Sequence, residues 1–516
     1  MTKYWRRLNR FLNHHELAII LLLIVVLLRL PSLFEPYWYG DETIYLAIGQ
    51  AIRHGQVLYQ GITDYPNKPP LIYLLAAVTQ TVFNFRLLLL FWTLATTIVF
   101  YEFSQLLTKN RLISIAASLV FIFFTSTPII EGNIANAEIF FILPTLLSAG
   151  LLYLASHKPK TSRYLFFLSG CLLGISFLFK IHVLLDIAAL GWYFFILSRL
   201  KTISIKSLRL LIISPDLWLF IAGLAAPVII AIAWLSLSGV SPLSLLQNAT
   251  GSSSYVGVWT QKDWLLMTLG MGDLRARFVL VALIMAVVFF FRRRFHPQLL
   301  LFTTWTLLAL FAALLSARPY PHYLIQLVPP AILGLAVFAS TSKAVLSKIS
   351  FGLVIALIFA AYLRFGFHTW SVSSYYTNFY QYITGHINRD EFYARFDNRM
   401  PRNYQLATYL RTVTNPPDHI YIWGTEADVY ILSHRLQEGN LVVSFHVADL
   451  NDYHHTAEII KQNHTPIIVV METEPRDFPE LEGLLASDYL LLTKIGDPRR
   501  SPSENQGHYA LVYKRI

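Results

Sequence analysis

The stretch "YWYGDETIYLAIGQAIRHGQVLYQGITDYPNKPPLIYLLAA", Tyr37 to Ala77, sets Asp41, Glu42, Asp64 and Lys68 between two apolar segments. Asp41 and Glu42 stand in "EPYWYGDETIY", an aromatic-rich setting suited to a membrane interface. A carboxylate partly desolvated there is suited to act as a general base. The plainer reading is surface charge on a solvated loop. Lys68 lies in "DYPNKPPL", where prolines stiffen the backbone before the next helix. A rigid lysine at headgroup depth suits a phosphate; the plainer reading is a lysine snorkelling to ordinary lipid headgroups. Arg29 in "VVLLRLPSL" needs a counter-charge or water. Lys180 ends "LGISFLFK", Arg318 opens "ARPYPHYLIQ", and His322 follows close by. Singly these cations are anchors. Together, beside the acids, they make an anion site facing a carboxylate base. Such a site suits a lipid-linked phosphate: cations stabilise the departing phosphate while the base deprotonates an attacking hydroxyl.

The elements that must position these groups are membrane helices. The 516 residues are 55% hydrophobic and 14% charged, against about 25% charged in soluble domains. Five short gaps between apolar runs are basic and hold no acid: 108–111, 156–163, 199–209, 292–298 and 341–348. The positive-inside rule places them, and the N-terminus, in the cytosol, so the net charge of +11 does not call for nucleic acid. The acids Asp41, Glu42, Asp64, Glu131, Glu138, Asp263 and Asp273 then fall on the outer face. This parity requires that 69–85 or 86–107 does not cross. Short, opened by Pro-Pro and containing Thr79, Gln80 and Thr81, 69–85 is expected to be a juxtamembrane helix on the outer leaflet. About 11 transmembrane helices remain: 17–34, 86–107, 111–130, 138–155, 164–180, 182–198, 215–236, 274–291, 298–316, 323–340 and 349–366.

After Phe367 the long apolar runs stop. "DHIYIWG", "LVVSFHV", "PIIVVM", "YLLLTKIG" and "HYALVYKRI" read as strands, with "EADVYILSHRL", "YHHTAEIIKQN" and "PELEGLLAS" as intervening helices. The alternation predicts a small extracytoplasmic α/β domain. The lone cysteine, Cys171, excludes an intrachain disulfide. "NAT" at Asn248 fits a glycosylation sequon, though a chance match is the commoner explanation.

These motifs resemble those of the C-type integral-membrane glycosyltransferases, in the branch of protein O-mannosyltransferases and aminoarabinose lipid A transferases. "GDETIYLAI" looks like the acidic motif of the first outer loop, and "NKPPLIYLL" like the Lys-Pro motif that opens a juxtamembrane helix. "SARPYPHYLIQLVPP" looks like the Pro-x-Tyr motif. "NIANAEIFFILP" occupies the second outer acidic position, and "GISFLFKIHVLL" resembles the span ending in lysine. The similarity covers about 17–340. It implies the GT-C fold, Asp41 as catalytic base with Glu42 beside it, Glu138 as second acid, and Lys68 and Tyr323 on the donor phosphate. Arg29, Lys180, Arg318 and His322 join them as donor-phosphate cations by proximity. Asn67 stands where aminoarabinose-transferase members carry a metal-holding acid, so no cofactor is required. Asp41, Glu138 and His322 could still form a weak divalent-metal site.

The expectation is a multi-pass plasma-membrane protein with residues 1–16 cytosolic, a transmembrane glycosyltransferase domain over 17–366 with its catalytic first outer loop at 35–85, and an extracytoplasmic α/β domain over 367–516. Its partners are a polyprenyl-phosphate sugar donor, membrane lipids and an acceptor of unknown class. A lipid-linked sugar flippase or small-molecule transporter remains open, supported by Glu102 and Asp186 within expected spans. So does a non-catalytic scaffold whose α/β domain binds a partner.

Overall fold

The computed structural model describes residues 2–60, 68–157, 162–197, 209, 212–243, 274–315, 318–341, 344–416 and 418–516. Asp64, Asn67, Asn248, Asp263 and Asp273 lie outside these. The protein is a multi-pass membrane protein. Among the described residues, six helices are long and apolar enough to cross a bilayer: Glu16–Phe34, Val82–Thr108, Ala137–His157, Pro215–Leu237, Pro321–Ser340 and Val345–Phe365. Shorter apolar helices occupy Arg111–Ser126, Arg163–Phe177, Ile181–Leu197 and Pro297–Ala313, and Leu274–Phe291 is a further apolar helix. Each of the eleven segments expected to span thus contains a helix among the described residues.

The chain forms two compact units. The first comprises Met1–Leu30, Leu89–Ala233 and Ala249–Val372. Its helices dock through ordinary devices. Asn110 caps the Arg111–Ser126 helix, its side chain accepting from the Leu112 and Ile113 amides. Gly170 and Gly223 let Ser162–Phe177 and Pro215–Leu237 touch backbone to backbone. A methyl on Gly170 would sit 2.1 Å from the Phe220 carbonyl, the small-residue packing that membrane helices use without a hydrophobic drive.

The second unit comprises Pro31–Leu88, Trp234–Asn248 and Ser373–Ile516. The expected 69–85 helix is shorter than its apolar run. It covers Leu71–Thr79 and ends where Gln80 turns to φ 68°. Asn84 donates its side-chain amide to the Thr79 carbonyl and its backbone N–H to the Thr81 hydroxyl. That cap restarts the helix at Val82, so residues 82–85 join the long Val82–Thr108 helix. Helix Gly40–Arg53 packs on Leu71–Thr79 at Gly49, where a Cβ would meet the Ala77 nitrogen at 2.6 Å.

The unit also holds a five-stranded sheet, ordered β2-β1-β3-β5-β4, built from β1 (His419–Trp423), β2 (Leu436–Gln437), β3 (Ile467–Met471), β4 (Tyr489–Ile495) and β5 (Ala510–Arg515). β1 runs parallel to β2 and β3, while β5 is antiparallel to β3 and β4. Four of the five expected strands form. The exception is "LVVSFHV". Leu441, Val442 and Val443 are buried without pairing, and a helix begins at Ser444, whose amide donates to the Gly424 carbonyl at 2.9 Å. A short apolar run reports burial, not strand pairing.

Candidate functional site

The two acids of the first-loop motif have different environments. Asp41 lies in the first turn of Gly40–Arg53. Its Oδ2 accepts from Lys68 Nζ at 2.8 Å and from the Tyr45 hydroxyl at 3.1 Å. Tyr45, one helical turn on, also accepts from Lys68, whose ammonium lies 4.5 Å from the Tyr45 ring centre. The buried prolines Pro69 and Pro70 follow the lysine, and the Tyr59 hydroxyl donates to its carbonyl at 2.9 Å. The Asp41 side chain keeps 34% exposure and Lys68 12%, so both remain within reach of a ligand.

Glu42, expected beside the base, is fully buried. Arg86 holds it through Nη2 at 2.6 Å and Nε at 3.0 Å. The same guanidinium reaches Glu35 at 2.7 Å and donates to the Ser32 carbonyl at 3.0 Å. Glu35 also accepts from Trp38 Nε1 and from the Tyr375 hydroxyl. A buried charge so fully bonded clamps the loop. Turning Asp41 outward while Glu42 points inward follows from the helical offset of about 100° between neighbours.

The first unit carries a second cluster. Lys180 does not end a helix. It sits in extended backbone between Ser162–Phe177 and the 3₁₀ turn Ile181–Val183. Its ammonium pairs with Glu138, in the first turn of Ala137–His157, and lies 4.3 Å from the Tyr323 ring centre. His322 Nδ1 is 2.6 Å from Glu131, and its Nε2 is 3.7 Å from Glu138. Trp370 Nε1 donates to Glu131 at 3.2 Å. Arg318 lies 6.0 Å from the Tyr320 ring, which stacks on His322. Glu138, Lys180, His322 and Tyr323 therefore converge, with Arg318 at the margin. Arg29, expected among the phosphate cations, is fully buried and donates to the Thr125 and Gly132 carbonyls at 2.6 and 2.5 Å, tying its helix end to that turn.

Sequence reasoning missed two members. Tyr45 was legible from its four-residue spacing to Asp41 on one helix face. Glu131 was visible only as an outer acid; its αL conformation (φ 62°) supplies the turn after the Pro128–Ile130 3₁₀ segment. Asp186, offered as evidence for transport, is tied at both oxygens, to Trp305 Nε1 and Gln326 Nε2, each at 2.6 Å. Gln326 belongs to the Pro321–Leu327 segment that carries His322 and Tyr323. Glu102 is exposed, six residues before the end of Val82–Thr108.

No protein-family model matches the sequence, nor does any curated protein. Among solved structures, the chain is similar to ArnT from Cupriavidus metallidurans bound to undecaprenyl phosphate. The TM-score is 0.56 at 12% identity, covering 97% of this chain and 98% of that one. The apo form of the same protein aligns with a TM-score of 0.54 at 13% identity, over 96% and 97%. The oligosaccharyltransferase of Archaeoglobus fulgidus in its apo form gives 0.45 at 12% identity, over 89% of this chain and 69% of that one. Nearly full coverage of both chains shows that the protein has the ArnT fold, a GT-C fold with a small C-terminal sheet domain.

Proposed function

We propose that the protein is a membrane glycosyltransferase that moves a sugar from a polyprenyl-phosphate carrier to an acceptor hydroxyl at the outer face. The observation that carries this reading is the Asp41–Lys68 pair, a reachable carboxylate 2.8 Å from a reachable ammonium on a clamped loop. The ArnT fold supports it, and the ArnT structure holds undecaprenyl phosphate. In the resting protein Lys68 neutralises Asp41. A donor phosphate competes for the ammonium and leaves the carboxylate free to accept a proton. The acceptor oxygen attacks the anomeric carbon as its hydrogen passes to Asp41. The bond from that carbon to the phosphate oxygen breaks on the opposite side, so configuration inverts. Polyprenyl phosphate leaves with its negative charge on Lys68. Within the first unit, Lys180 and Tyr323 are proposed as a phosphate-binding pair of their own, with Glu138 and His322 orienting the lysine.

The test is release of free polyprenyl phosphate by purified protein given a labelled lipid-linked sugar. Asp41→Asn is expected to lower release by about 10²–10⁴-fold with membrane insertion intact. Lys68→Ala is expected to weaken donor binding by about ten- to a hundredfold, the loss of a charge-assisted bond. Substantial turnover by the asparagine variant would remove Asp41 as base, and transport without cleavage would favour the flippase reading.

A further inference from the structure

A cavity of about 370 Å³ opens in the second unit, lined by His386, Ile387, Glu391, Arg395, Asn398 and Arg499. This is the lower end of the ~300–1,000 Å³ typical of small-ligand sites, whose specificity comes from a few convergent polar groups.

Those groups are held in place. Arg499 is fixed by Asp497, which is 5% exposed: Nε donates to Oδ1 at 2.9 Å and Nη2 to Oδ2 at 2.5 Å. One edge of the guanidinium fork is thus fastened, and Nη1 has no hydrogen-bond partner among the described residues. Arg395 donates through Nη1 to Gln381 at 2.5 Å. Thr384 Oγ1 lies 2.7 Å from both the Tyr380 carbonyl and His386 Nδ1, which occupies that ring nitrogen. That leaves His386 Nε2 for a ligand. Glu391 accepts the Asn388 amide at 3.1 Å in a capping box, which fixes its carboxylate at the start of Arg389–Ala394. Arg395 and Arg499 bring two guanidinium groups to the lining beside Glu391, with Asp497 balancing Arg499 from behind, so an oxyanion finds fork-shaped donors there rather than a net positive charge. Among the described residues no phenylalanine, tyrosine or tryptophan lines the cavity.

We propose that this cavity binds an anionic sugar residue. Its carboxylate or phosphate sits on Arg395 and Arg499, and its ring hydroxyls reach Glu391, Asn398 and His386. Resting on the glycosyltransferase reading, the inference makes the cavity an acceptor subsite, and the acceptor a saccharide carrying an oxyanion. The packing behind it supports that role. Phe392, on the Arg389–Ala394 helix, stacks on Tyr382 at 4.2 Å and meets Phe396 at 5.2 Å. Phe396 in turn packs on Trp38 at 5.7 Å, three residues before Asp41. The cavity wall and the loop of the proposed base are therefore one packed block.

Titration of the full-length, detergent-purified protein with glucuronic acid, glucose 6-phosphate, glucose and inorganic phosphate tests this. Both anionic sugars are expected to bind at least about tenfold more tightly than glucose. Arg395→Gln, at an exposed helix end, is expected to weaken them about tenfold, and the double variant with Arg499→Gln about a hundredfold. Equal binding of glucose, or unchanged affinity in Arg395→Gln, overturns the proposal. So does inorganic phosphate binding as tightly as glucose 6-phosphate, which would mean an adventitious ion only. Binding is read without donor, and polyprenyl phosphate release is read separately. Failure of the cavity and failure of the enzymatic reading are therefore distinguishable.

Discussion

Asp41 and Glu42 are chemically near-identical neighbours with separate assignments, and their surroundings assign them. Asp41 keeps a third of its side chain exposed beside one lysine. Glu42 has no exposure and shares Arg86 with Glu35. Arg86→Leu would strand two buried carboxylates and is expected to lower stability by about 3–5 kcal/mol. Arg86→Lys should recover only part of that, because a point ammonium cannot reproduce the bidentate fork. Thermal unfolding of the purified protein checks both, with Asp41→Asn as the contrast expected to leave the midpoint in place. An Arg86→Leu midpoint equal to the parent's would show that the clamp does not hold the loop. The motif made both acids visible in the sequence. It could not separate them, because which of the two turns inward depends on Arg86, forty-four positions away.

At the scale of elements, the apolar runs were legible because a bilayer demands about 20 consecutive apolar residues per helix. Elements set by contacts rather than by a run were not. "LVVSFHV" is apolar because it is buried, and β2 has only two residues. The loop after β1 leads into the short Asp428–Ser433 helix and places Asp428 inside the sheet unit. Burial, together with neighbouring Glu426, pushes this carboxyl up to about 7, against the downward pull of the Asn403 hydrogen bond and Arg399. The Asn403 amide donates to it at 2.9 Å. The folded group holds its proton more tightly than the unfolded group, whose value is 3.8. Stability contributed by the protonated form is therefore complete below about pH 4, falls as pH rises to about 7, and is level above. The three-unit shift bounds the effect at about 4 kcal/mol. Asp428→Asn, which keeps the shape without the charge, is expected to flatten that slope and raise the unfolding midpoint at pH 8. A variant whose midpoint falls with pH as steeply as the parent's would show that another group sets the dependence.

At the scale of the whole molecule, sidedness turns on one short helix. Leu71–Thr79 has nine residues, which at 1.5 Å each is about 14 Å, half of the roughly 30 Å hydrocarbon core. It cannot cross, so the chain between Phe34 and Val82 begins and ends on one face. On the orientation the positive-inside rule predicts, Glu16–Phe34 leads out and Val82–Thr108 leads back, and Lys109, Asn110 and Arg111 are expected in the cytosol. Every later basic stretch keeps the sign that lysine- and arginine-rich loops favour. An odd number of crossings would place Ile516 outside with the sheet. A reporter fused after Asn110 is therefore expected to be active only in the cytosol, and one after Ile516 only outside. If the first reporter were found outside, the basic stretches would face the wrong way. The two apolar segments flanking Thr81 would both have to cross, and the sheet would end on the face opposite the Asp41–Lys68 pair, which precedes both segments.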